Sequence, residues 1–178
     1  AHQQEPDSII WVTMSDGTLL SCTYLPKQRV ANWSQHRTQG WFERCASLVN
    51  TDGTDRVYFI VRRTINGQTV KFIEVMYNQL SPVDDIAQSF SVDCGLTYQG
   101  RPATSISGLD HLEGGDGEIV ADGNHARAVV QDGTITLAYP ASLVHIGLGF
   151  TAEMESLDIQ PMQMPVKGRA RNIVTAEI

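Results

Sequence analysis

An all-β fold of antiparallel strands follows from two observations. Asp-Gly or Asn-Gly pairs stand at Asp16-Gly17, Asp52-Gly53, Asn66-Gly67, Asp122-Gly123 and Asp132-Gly133, and a stretch alternating apolar and polar residues precedes or follows each. Such a pair is a strong hairpin signal, because a type I′ turn needs positive φ at both central positions.

The elements follow in order. Ile9 to Met14 and Thr18 to Leu25 flank the first turn, and Pro26, which cannot donate to a ladder, closes the second strand. Arg29 to His36 and Trp41 to Val49 flank a turn ending at Gly40. Arg56 to Thr64 places Val57, Phe59 and Val61 on one face, and Thr69 to Tyr77 follows Asn66-Gly67. Six such strands suit a sheet stack, a barrel or propeller blades. Ser81, Pro82, Asp84 and Asp85 then suit the start of a short helix, as cap, first position and dipole partners. Glu118 to Asp122, His125 to Gln131 and Thr134 to Tyr139 read as consecutive strands. His145 to Glu155 reads as another, with Ile146, Leu148, Phe150, Ala152 and Met154 on one face. Arg169 to Ile178 completes the pattern.

Composition and charge exclude several classes. Of 178 residues 42% are hydrophobic and 19% charged, the profile of a folded globular chain. No apolar run approaches the roughly 18 residues that span a bilayer, and no partner membrane is expected. The chain opens at Ala1 and ends inside an apparent strand, which reads as a piece of a longer protein. Cys22, Cys45 and Cys94 are odd in number and far apart, so free thiols in a reducing cytosol are expected, with Cys22 as a small buried hydrophobe. Residues 79–160 carry twelve acids against Arg101 and Arg127, whereas residues 1–78 carry seven acids and eight bases. Specific nucleic-acid binding needs clustered cations to neutralise phosphates, and the middle segment would repel a duplex.

No motif points to catalysis. His36, His111, His125 and His145 are scattered and form no short ligand pair. The alternation puts His125 and His145 on the polar, exposed phase of their strands. Asp110, Glu113 and Asp116 could offer oxygens to calcium, but their spacing is not that of an EF-hand, and solvated acids in a turn-rich connection are the simpler reading. Ser105-Ile106-Ser107-Gly108 only approaches a nucleophile elbow in composition. Trp11, Trp33 and Trp41 could form a sugar-stacking platform, although a strand position such as that of Trp33 more often faces a core. No catalytic, cofactor or metal residue is assigned, and no enzyme activity is expected.

The segment Ser8 to Tyr24 resembles one found in phage and prophage tail proteins. Val30 to His36, Val61 to Gly67, Val92 to Tyr98, Ile106 to Gly114, Val120 to Gly123, Asp132 to Leu137 and Val144 to Phe150 continue the resemblance in order. The family is the tail nozzle, or tail tubular protein, of short-tailed phages. It implies propeller-like strands over residues 7–93, a small inserted β-barrel over 94–159 and a returning strand over 160–178. The barrel resembles the non-catalytic one beside the cysteine domain of ubiquitin-activating enzymes. The implied function is a structural virion component, part of the DNA-ejection conduit, assembled in the host cytoplasm. The implied partners are other tail or portal-proximal proteins and, in the full-length protein, a homo-oligomeric ring. The alternative is a host- or carbohydrate-binding module on the tail surface.

Overall fold

The computed structural model describes residues 1–77 and 85–155. These form an all-β body, with 3-10 turns but no α-helix among them. The strands are β1 (His2–Gln3), β2 (Ile9–Thr13), β3 (Leu19–Leu25), β4 (Val30–His36), β5 (Trp41–Val49), β6 (Asp55–Ile65) and β7 (Gln68–Val75), followed by β8 (Asp93–Ser107), β9 (Asp116–Ala121), β10 (Asn124–Val129) and β11 (Thr134–Leu148). They make three antiparallel sheets, ordered β1-β2-β3-β4, β5-β6-β7 and β10-β9-β11-β8, none of them closed.

Local sequence dictates the first two sheets as simple meanders, but the five Gly pairs do not all make the same turn. Asn66-Gly67, Asp122-Gly123 and Asp132-Gly133 have positive φ at both residues, as type I′ turns require. At Asp16-Gly17 and Asp52-Gly53 only the glycine does, with φ of 83° at each. There the loop is one residue longer, closed by Met14 N–H to Thr18 O (2.8 Å) and Asn50 N–H to Thr54 O (2.7 Å). The aspartate serves as an acceptor instead: Asp16 takes the Thr18 N–H at 3.0 Å and Asp52 the Thr54 N–H at 2.9 Å. A further Asp-Gly pair, Asp116-Gly117, makes no turn and lies inside β9.

Because side chains alternate across a strand, the register decides which residues meet. Trp11 and Leu19 from one sheet pack on Val57, Phe59 and Val61 from the next, with Trp11 and Phe42 both edge-on to Phe59. Each fully buried aliphatic or aromatic side chain of this kind contributes about 1.5–3 kcal/mol. Cys22 is buried as expected, but on the outer face, directly opposite Trp33. Trp33 itself is not a core residue. That register turns it away from the β5–β7 sheet, and it is 61% exposed.

The third sheet departs from the expected consecutive order. β11 does not lie beside β10; it crosses β9 and pairs with β9 on one side and β8 on the other. The crossing is held where Val130, fully buried, exchanges backbone hydrogen bonds with Gly114 and Gly115 at 3.1 Å each. β11 also stops at Leu148, so residues 149–155 of the expected His145–Glu155 strand belong to no ladder. Ser81–Asp84 and Arg169–Ile178 lie outside the described residues. Asp85, expected as a dipole partner of a helix, instead accepts the Ala87 N–H at 3.0 Å before a 3-10 turn at Ile86–Gln88.

Gly17 is required on two counts. Its left-handed φ strains any L side chain, and a Cβ there would sit inside the Trp41 indole. Gly17→Ala should lose about 1–2 kcal/mol from the backbone term alone. A lowered urea midpoint together with a red-shifted tryptophan emission would check it; unchanged emission would mean that Trp41 does not rest on Gly17.

Candidate functional site

The polar chemistry of the interior gathers at one seam. Arg63 continues the inward phase of Val57, Phe59 and Val61, and its side chain is 1% exposed. Its Nε and Nη2 donate to the two carboxylate oxygens of Glu74 on β7, at 2.6 and 2.7 Å. Nη1 donates to Thr38 Oγ1 at 2.8 Å and to the Gln39 carbonyl at 2.9 Å. Burial works against the guanidinium charge, and the Glu74 carboxylate more than compensates.

Asp93 and Cys94, at the start of β8, face the same seam. Burial raises the Asp93 carboxyl above its ordinary range, while Thr38 and Arg63 pull it back. The Cys94 thiol is pushed up to about 12, by burial first and then by Glu74, against the pull of Arg63. A thiol held that far into its neutral form is no nucleophile at physiological pH. The backbone at Cys94 has φ of 50°, and its carbonyl accepts from His111 Nε2 at 3.1 Å. His111 also lies edge-on to Phe72, bridging the second and third sheets. The seam therefore fixes sheets to one another.

The remaining histidines hold structural places. His145, expected on an exposed phase, is 1% exposed. One face of β11 meets the hydrophobic core, and the segment before β8 covers the other. Ala87 O accepts from His145 Nε2 at 3.1 Å, Nδ1 pairs with Thr97 Oγ1 at 2.8 Å, and Phe90 packs edge-on against the ring. His36 pairs with Ser21 Oγ at 2.7 Å and packs on Trp11. His125 is exposed, as expected, and reaches Glu118 at 2.6 Å. Among the described residues no three His, Cys, Asp or Glu side chains converge as a metal site would require.

Two acids of the third sheet are tied to backbone donors. Glu113 accepts the N–H groups of Asp132 and Gly133 at 3.1 and 2.8 Å. Asp122 accepts those of Ser142 and Leu143. Asp110 lies against Gly133, where a Cβ would collide with its carboxylate. Asp110, Glu113 and Asp116 thus do not converge on one cation.

Two surface features remain. An open groove of about 630 Å3 runs between Gln39 and the β9–β10 hairpin, past Asp116, Glu118, Val129 and Phe150. Arg127 first, and His125 second, hold the Glu118 carboxyl below its usual range. The second feature is aromatic. Trp33 and the exposed Tyr24 share the outer face of the β1–β4 sheet, diagonal across β3 and β4. Trp41, stacked on the Arg62 guanidinium at 5.1 Å, lies on the outer face of the other stacked sheet, and Trp11 is buried. The three tryptophans do not form one platform.

The chain matches no protein-family model and no curated protein.

Sequence reasoning missed Arg63, Glu74 and Asp93. The available signal was a charge in an apolar phase: Arg63 follows Val57, Phe59 and Val61, and Glu74 follows Val70 and Phe72. Arg63→Met should destabilise the chain by about 3–5 kcal/mol, because it leaves the Glu74 carboxylate without its partner, and adding Glu74→Leu should recover much of that. Urea unfolding of both variants checks this; equal loss in single and double variants would mean the pair is not the cause.

His145 and His36 both have pKa values below the ordinary 6.5, through burial. The unfolded chain then binds more protons near that pH, so stability falls as pH drops through 6.5 toward the folded values. Asp93, whose folded pKa is raised, acts in the opposite sense over the carboxylate range above 3.8. The urea midpoint should therefore decline from about pH 7.5 to pH 5.5, with a shallower slope in His145→Gln. An unchanged slope in that variant would remove His145 from the account.

Proposed function

We propose that this chain is a structural component of a phage or prophage tail, part of the conduit through which DNA leaves the capsid. Its partners would be other tail or portal-proximal proteins, and in the full-length protein copies of itself in a ring. The observation that carries this reading furthest is the Arg63 seam, where all three nitrogens of a buried cation are engaged and two strands and a loop are fixed together. Such a knot suits a rigid building part. The order of resembling segments from Ser8 to Phe150 supplies the tail identity, and the propeller-like strands with an inserted barrel belong to the same proposal. The acidic excess of residues 79–160 also fits, because a conduit lined with clustered cations would trap DNA at its phosphates.

A second reading is favoured by one observation. Trp33 stands exposed beside Tyr24 on a face without Lys, Arg, Asp or Glu in the β2–β4 rows, which suits a neutral sugar ring of a host glycan.

Antibodies against the chain, gold-labelled on purified particles, should mark the tail of each particle. Particles without label would end the tail reading. Binding on a glycan array that Trp33→Ala abolishes would favour the surface module instead.

A further inference from the structure

β4 is the last strand of its sheet, and among the described residues no strand pairs with its outer edge. Proteins guard such edges with charges, prolines or bulges, because a row of unpaired N–H and C=O groups is a template for another strand. β4 has none of these. It reads Val-Ala-Asn-Trp-Ser-Gln-His, keeps unbroken register with β3 over all seven residues, and is exposed from Ala31 through Gln35.

The same molecule carries a strand pattern without a sheet. After β11 ends, Phe150, Ala152 and Met154 alternate with Thr151, Glu153 and Glu155. Period-2 alternation is the signature of a half-buried strand. Yet these residues form no ladder, all are exposed, and Met154 is 93% exposed.

We propose that the Phe150–Glu155 segment of one copy adds as a fifth strand to the open β4 edge of a second copy, linking copies head to tail. Six residues in extended form span about 20 Å, close to the length of β4. The charges are complementary: exposed Arg29 and Arg37 stand at the two ends of β4, so the acidic end of the segment, with Glu153 and Glu155, meets an arginine in either strand direction. The apolar phase matches too, since Phe150, Ala152 and Met154 would extend the outer face that Trp33, Ala31 and Tyr24 already form. A methionine beside an exposed indole is a favourable pair. The segment does not lie on its own β4. Its first residues, Phe150 and Thr151, line the groove beside Val129 and Asp116, and the Gly149 carbonyl is held by Gln39 Nε2 at 3.1 Å. Donor and acceptor are different surfaces, so the contact is heterologous and propagates to a ring or filament. It deepens the proposed tail reading, resting on it for the ring alone, and particle labelling tests that reading separately.

The test is sedimentation equilibrium of the full chain from micromolar to submillimolar concentration, by analytical ultracentrifugation. The wild type should self-associate. Arg29→Glu with Arg37→Glu, and separately Glu153→Arg with Glu155→Arg, should each weaken association by at least about tenfold. An equimolar mixture of the two variants should restore it, since each then offers the charge the other needs. Ala152→Pro, which removes a ladder donor, should abolish association without changing the circular dichroism or the melting temperature. A wild type that stays monomeric, association indifferent to these changes, or a mixture that fails to restore it would each overturn the proposal. A monomeric wild type whose Ala152→Pro variant melts lower would place the segment on its own chain, and would overturn it as well.

Discussion

The structure depends on one buried guanidinium. Removing Arg63 from water is costly unless its donors find acceptors, and the chain supplies them from two sources. Glu74 lies on the neighbouring strand; Thr38 and the Gln39 carbonyl come from the β4–β5 loop. That loop joins the two stacked sheets, so satisfying the cation also fixes where one sheet hands over to the next. Gln39 then extends the constraint, because its side chain donates to Gly149 at the end of β11. One residue thus connects the seam with the third sheet.

The charge distribution has a second meaning once the acceptors are traced. Asp16, Asp52, Glu113 and Asp122 each receive backbone N–H groups in a turn or at a strand crossing. A carboxylate does this better than a neutral acceptor, since charge-assisted hydrogen bonds are the stronger kind. Two acids of the third sheet, Glu113 and Asp122, therefore serve its connections. The net negative field remains, and it is the sum of these acids and not any single one that sets it.

Legibility followed locality. The meanders β2–β4 and β5–β7 could be read because their signals, alternation and turn residues, lie within a few positions of the contacts they make. The path from β10 to β11 could not. Its crossing over β9 depends on Val130 meeting Gly114 and Gly115, a pairing that no local pattern announces. His145 shows the same limit. Its phase said polar, and so it is, but its polar atoms are satisfied by Thr97 and by Ala87, 58 residues away. Trp33 was misread in the other direction, because an edge strand with one face toward a neighbouring sheet has a second face with nothing upon it. Arg63 and Glu74 were readable as charges in apolar phase; what the sequence withheld was that they meet.

Local pattern and tertiary structure agree along most of the described chain, as a foldable sequence requires. They disagree at Phe150 to Glu155. An extended segment in water keeps its backbone groups hydrated, so leaving it unpaired carries little penalty, and alternation alone cannot pull it onto a sheet. Its apolar phase is different, because Phe150 and Met154 remain in contact with water that they would leave on pairing. A bare edge at β4 has the matching deficit. Two incomplete elements of complementary charge and phase, not joined within one chain, are what assembly through strand addition requires of its parts.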